Sequence, residues 1–221
     1  MARHPNSIKK LQILEKNGIK IINSGYGIAN CTRENVTKLL LANNIPHPKS
    51  IVISTNDFSF SNIKIFGSHC WIKRGDFHSI QKDDVIYTHT AKAEGIIQKY
   101  ALRGIFTAVI NEHLQGDLVK FYGVEGTNFF YWFYPTHSKF GLEKINGKAV
   151  GIPFNHFFLK KICEYTARLL NVHIYGGDCI IDKNGIIRII DFNDWPSFTP
   201  CLYEAVPYIA NFIYRYYCGS V

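Results

Sequence analysis

The chain has 221 residues, 47% of them apolar and 19% charged, with a formal net charge of +8. That length can bury a real core as one large domain or two small ones, and that balance excludes a disordered chain. No run approaches the roughly 18 apolar residues of a membrane span, and "MARHPNSIKKLQILEKNG" lacks the apolar stretch and cleavage site of a secretory signal. The expected location is therefore the cytoplasm, with no membrane partner.

In chain order, Asn6 can cap a helix running to Lys16, ended by Gly18, and "IKII" reads as a short strand. Thr32 caps a second helix to about Asn43, which leaves through two prolines into the strand of "NNIPHPKSIVIS". "HCWIK" is a further short strand, and "AKAEGIIQKYALRG" has helical spacing ended by Gly104. "TAVINEH", "DLVKFYGV" and "NFFYWFYP" then form a meander, separated by turn-prone "LQG" and "EGT". Residues 135 to 152, with Gly141, Gly147, Gly151 and several lysines, are the most loop-like part of the chain, a length that is often functional. "NHFFLKKICEYTARLLN" is the clearest amphipathic helix, with Asn155 as its cap. "YGGDCIID" and "IIRIIDFN" follow, joined by "KNG", and an aromatic helix lies near Tyr208 to Tyr217. The mixture predicts an α+β fold, helices packed on largely antiparallel sheets.

The six cysteines show no CxxC pair and no zinc-like spacing with histidine, so they read as reduced core residues. Lysine and arginine are scattered without a basic run or an aromatic-basic signature, which argues against nucleic acid and for a small anion such as a nucleotide phosphate. The sequence leaves the oligomeric state open.

Asn184-Gly185 between two hydrophobic runs is a strong signal for a two-residue hairpin turn. With that turn Lys183 faces Ile186, Asp178 lies opposite Asp191, and Asn193 shares the face of Asp191. Like charges directly opposite on a sheet repel, so something positive is expected between them. Two carboxylates and an amide oxygen are hard ligands suited to magnesium completed by substrate phosphates. The plainer use of Asp191 and Asn193 is to close a strand and bond the next turn; the opposed Asp178 favours the metal.

These residues resemble a family. "GGDCIIDKNGIIRIIDFNDWPSF" is similar to the end of an ATP-grasp domain, and the resemblance implies that Asp178, Asp191 and Asn193 hold the magnesium ions, or manganese in their place, that bridge the ATP phosphates. "TRENVTKLLLANNIPHP" resembles the helix before the family's Gly-Ile-Pro turn, with Arg33 where a phosphate-contacting lysine is common. "CWIKRG" resembles the strand carrying a second nucleotide lysine, Lys73. "AVINEHLQGDLVKFYGV" resembles the interdomain hinge, which implies that Glu112 and the backbone of Asn111, His113 and Leu114 meet the adenine while Lys120 points toward the transferred phosphate. The resemblance spans residues 19 to 200, and five motifs fall in the family's order.

Three departures accompany it. The glycine-rich phosphate loop expected after Lys73 reads "RGDFHSIQKDDV", so Arg74, His78 or Ser79 is expected to substitute for its amides. Arg33 and Lys120 are swapped relative to the commonest ligase pattern. Only the last helix and strand of the usual front domain are expected, in residues 1–30, ahead of two subdomains at 31–110 and 111–221. The implied activity is phosphoryl transfer from ATP to a carboxylate, small-molecule or peptide, giving an acyl phosphate for an amine donor. A kinase of the same fold, like the inositol polyphosphate kinases, and a non-catalytic nucleotide-binding module are the alternatives.

Overall fold

The computed structural model describes residues 4–57, 63, 65–76, 81–137 and 141–219. Its elements are α1 (Pro5–Lys16), α2 (Gly25–Asn30), α3 (Arg33–Ala42), β1 (Ser50–Ser54), β2 (His69–Arg74), β3 (Val85–His89), α4 (Ala93–Leu102), β4 (Thr107–Glu112), β5 (Asp117–Val124), β6 (Phe130–Phe133), α5 (Leu142–Asn146), α6 (His156–Leu170), β7 (Ile174–Ile181), β8 (Ile187–Asp194) and α7 (Leu202–Cys218). The strands form two antiparallel four-stranded sheets, ordered β1-β4-β2-β3 and β6-β5-β7-β8. The α+β expectation holds.

Each sheet has a helix on the face away from the other sheet. On β2, Cys70 and Ile72 are buried against Ala93, Ile97 and Tyr100 of α4, together with Ala108 and Ile110 of β4. Strand alternation then puts His69, Trp71 and Lys73 on the opposite face. On the second sheet, Val119, Phe121, Cys179, Ile187 and Ile189 pack on Leu159, Cys163, Ala167 and Leu170 of α6. The helical period of α6 makes this stripe; Asn155 caps it by accepting from the Phe158 amide at 2.9 Å, and Asn171, left-handed at φ 59°, ends it. Val36 and Leu40 of α3 enter the same core. Leu118, Lys120 and Tyr122 therefore face the other way, where Tyr122 packs with Phe198 and with Ala205 and Phe212 of α7.

Several local readings change. The cap of α1 is His4, whose Nδ1 accepts from the Asn6 amide at 3.2 Å, so Asn6 lies inside the helix. "IKII" is not a strand; the chain bends there into α2, where Gly27 lies so close to Asn171 that a Cβ would come within 1.9 Å of its carbonyl oxygen. The strand β3 was hidden because "VIYTH" is short and its alternation is set by Trp71 and Lys73 across the ladder. All six cysteines are free; five are buried as expected, and Cys218 is exposed. Among the described residues no helix is long and apolar enough to cross a membrane.

The hairpin between β7 and β8 departs from its predicted geometry in two ways that cancel. Its turn is one residue longer: the Asp182 amide bonds the Ile186 carbonyl at 3.0 Å, Gly185 sits at φ 77°, and Asp182 Oδ1 accepts from the amides of Asn184 and Ile186. Ile181 therefore faces Ile187 and Cys179 faces Ile189, and then a bulge at Ile190 shifts the register so that Asp178 faces Asp191. The expected pair forms, but Ile187 and Ile189 point into the core while Asp191 and Asn193 point to the opposite face.

Candidate active site

One row of the second sheet carries most of the charge. Lys120 on β5 faces Asp178 on β7, and Asp178 faces Asp191 on β8, so the three side chains stand side by side. Lys120 Nζ lies 2.6 Å from Asp178 Oδ1. Asn193 is two residues along the strand, with Gly176 opposite, and its Nδ2 donates to Asp191 Oδ2 at 3.1 Å, so its Oδ1 is not used by that bond. Two carboxylates about 5 Å apart repel by roughly 3 kcal/mol at an effective dielectric near 20, so the row requires cations. Burial, partly offset by Lys120 and reinforced by the charge of Asp191, raises the pKa of Asp178. For Lys120 burial works against the ammonium, but the Asp178 carboxylate outweighs it and the pKa is raised.

The first sheet answers with cations. Lys73 Nζ donates to the carbonyl of Ile190 at 3.4 Å, the residue that the bulge pushes out of the ladder. Burial first, and then the charge of Arg33, lowers Lys73 to about 8, against the pull of Asp191 and Asp178. Arg33 opens α3, and its NH1 donates to the Arg74 carbonyl at 3.4 Å. The structure thus brings together Arg33, Lys73, Lys120, Asp178, Asp191 and Asn193 between the two sheets.

The hinge residues are arranged differently from one another. Asn111 is buried and its Nδ2 donates to Ser50 Oγ at 2.5 Å. The Glu112 carboxylate is committed to the Lys49 amide at 2.7 Å, and the Glu112 amide bonds the Lys49 carbonyl at 2.9 Å. His113 accepts from Trp71 Nε1 at 3.1 Å through Nδ1 and packs 5.0 Å from the Tyr87 ring; burial lowers its pKa. The Leu114 carbonyl accepts from Asn146 Nδ2 at 2.9 Å, and so does the Gly116 carbonyl at 3.1 Å, which pins α5 to the linker. Beside that clamp a cavity of about 450 Å³ is lined by Leu118, Tyr134, His137, Leu142 and Lys148.

Arg74 does not replace the missing glycine loop. Its guanidinium is held by both oxygens of Asp76 at 2.9 and 3.1 Å and lies 3.6 Å from buried Asp84. His78 and Ser79 lie outside the described residues. Sequence reasoning passed over Trp71 and Tyr122, although each stands two residues from an identified lysine and so on its face. His47 and Asn146 carried no sequence signal.

The donor set fits magnesium. Among the described residues no group of three or more His, Cys, Asp or Glu could hold a metal alone, while Asp178, Asp191 and the Asn193 amide oxygen make the smaller set of hard donors that this ion completes with phosphates and water.

Two sheets enclosing such a cleft define the ATP-grasp fold, and solved structures of that fold match the chain. No protein-family model matches it, and no curated protein sequence does. The D-alanine-D-alanine ligase from Coxiella burnetii superposes with a TM-score of 0.70 at 14% identity over 98% of this chain and 66% of that one. D-alanyl-alanine synthetase A from Vibrio cholerae O1 biovar eltor gives 0.70 at 16%, over 97% and 73%. The ATP-grasp ligase PsnB, complexed with a phosphomimetic variant of its minimal precursor, Mg and ADP, gives 0.59 at 16%, over 96% and 67%. The chain spans about two thirds of the length of these proteins.

Proposed function

We propose that the protein is an ATP- and magnesium-dependent enzyme that transfers the γ-phosphoryl group to a carboxylate, forming an acyl phosphate that an amine then attacks. It works in the cytoplasm on a small-molecule or peptide acceptor, with ATP between subdomains at 31–110 and 111–221 that follow a first segment at 1–30. The observation that carries this reading is the row of Lys120, Asp178 and Asp191 facing Lys73 and Arg33. Three cations around two carboxylates make a pocket for a polyphosphate with a divalent ion. Asp178, Asp191 and Asn193 would hold magnesium or manganese, which would supply positive charge against the phosphate oxygens. Lys73 and Arg33 bind the phosphates from the first sheet. Lys120, held straight by Asp178, is positioned to reach the oxygens of the transferred group, where charge develops in the transition state. The adenine lies along the backbone of Asn111 to Leu114. The acceptor is expected near the described residues 135–137, 141–152 and 195–201, which would border the phosphates. The likeness to the D-alanine-D-alanine ligase and to the ATP-grasp ligase PsnB, the latter solved with Mg and ADP, supports the carboxylate reading.

ADP release measured across a panel of carboxylates and amines tests this, with a carboxylate labelled by oxygen-18. Transfer of label into phosphate together with an amide product is the expected result; a stable phosphoester without amide means a kinase instead. Asp191→Asn should lower turnover at least about a hundredfold, and an unchanged rate would remove the metal site from the reading.

A further inference from the structure

Behind the bulge, between α3 and the turn at Pro46 to Pro48, lies a cavity of about 20 Å³ lined by Arg33, Thr37, His47, Asn111, Ile190 and Asp191. Two residues of this wall each carry a buried polar atom without a hydrogen-bond partner: Nε of Arg33 and Nε2 of His47. Their chemistry is complementary. His47 Nδ1 is 2.9 Å from the Ile45 carbonyl, which can only accept, so Nδ1 bears the proton and Nε2 of the neutral ring is an acceptor. Arg33 Nε–H is always a donor. The turn carrying His47 is bound to the strand carrying Asp191, because the Ile189 amide donates to the Pro46 carbonyl at 2.9 Å. An unsatisfied donor and acceptor on one wall are both costly, and a polar cavity above about 10 to 15 Å³ accommodates one water.

We propose that a single buried water bridges Arg33 Nε–H to His47 Nε2, and that His47 is thereby the positioning residue of Arg33. This rests on the reading of Arg33 as a phosphate contact. The guanidinium is a planar fork, so fixing Nε fixes the directions of its outer N–H groups. It needs fixing, because Lys73 repels it and its bond to the Arg74 carbonyl is a long 3.4 Å. The water anchors the inner edge of the fork to the Pro46–Pro48 turn and leaves the outer edge for phosphate.

The experiment compares the full-length wild type with His47→Leu, His47→Gln and Arg33→Lys. In nucleotide-free wild type, nitrogen-15 spectra should show a slowly exchanging Arg33 Nε–H and the Nδ1-protonated tautomer of His47. His47→Leu should speed exchange of that proton about tenfold or more and weaken magnesium-ATP binding by calorimetry about five- to tenfold, while His47→Gln, which keeps an acceptor, should stay within about twofold of wild type. Rapid exchange in wild type, or a proton on Nε2 of His47, overturns the bridge without any variant, even if His47→Leu does not fold. Unchanged exchange and affinity in His47→Leu, beside weakened binding in Arg33→Lys, overturns the role of His47 and leaves the phosphate reading standing. A protected Nε–H in a wild type that binds no magnesium-ATP overturns instead the nucleotide reading, and the positioning role with it.

Discussion

Lys73, lowered to about 8, sits within reach of neutral solution, and its protonation is therefore a measurable part of the site. Phosphate prefers the ammonium, so bound nucleotide raises the pKa of Lys73, and affinity falls as pH rises through about 8. Calorimetry at pH 7 and pH 9 should show this loss in wild type and a much smaller one in Lys73→Arg, whose guanidinium stays charged. Binding near pH 8.5 should also take up a proton, seen as an enthalpy that depends on the buffer. Folding stability has the opposite sign. The folded pKa lies below the ordinary 10.5, so between about 8 and 10.5 the unfolded chain binds more protons, and the contribution of Lys73 to stability rises with pH in that window. Denaturant titrations at pH 8 and pH 10 should show that rise, and Lys73→Met should abolish its share. The identities of Lys73, Asp178 and Asp191 were readable in the sequence because strand alternation and a family's order place them. The shift of Lys73 was not, since it comes from Arg33 and from burial that residues distant in sequence provide.

At the scale of elements, the β7–β8 hairpin decides whether there is a site at all. Without the bulge at Ile190, the alternation that sends Ile187 and Ile189 into the core would send Asp191 and Asn193 after them. Deleting Ile190 should therefore leave a chain that no longer binds magnesium-ATP, measured by calorimetry; retained binding would show that the strand recovers the bulge elsewhere. Gly177 is the second requirement, because a Cβ there would come within 2.2 Å of the Asp191 carbonyl oxygen and 2.7 Å of Phe121 Cζ. Gly177→Ala should cost about 1 to 3 kcal/mol in chemical denaturation and move Asp191 enough to weaken nucleotide binding. The sequence showed this hairpin through its Asn-Gly turn signal and its paired aspartates. It did not show the longer turn or the bulge, since Asp182 nucleates the first through its own carboxylate and Lys73, from the other sheet, takes the carbonyl that the second exposes.

At the scale of the whole molecule, the cations come from both sheets and the carboxylates from one, so the nucleotide itself is expected to tie the halves together. Magnesium-ATP at about a hundred times its dissociation constant should stabilise the fold by about 2.7 kcal/mol, with the linker at residues 113–116 becoming slower to cut by protease. A shift in melting temperature without linker protection would place the nucleotide elsewhere. The sequence by itself determined which segments are apolar, the α+β class, and the facing of Asp178 and Asp191 with Asn193 beside them, because periodicity and turn chemistry are local properties of the chain. The tertiary structure alone decided that Arg74 is spent on Asp76 and Asp84, that the Glu112 carboxylate serves Lys49, and that His47 shares a cavity with Arg33. Each of these depends on which side chain gets to a partner first, and that is settled only when separate elements pack against one another.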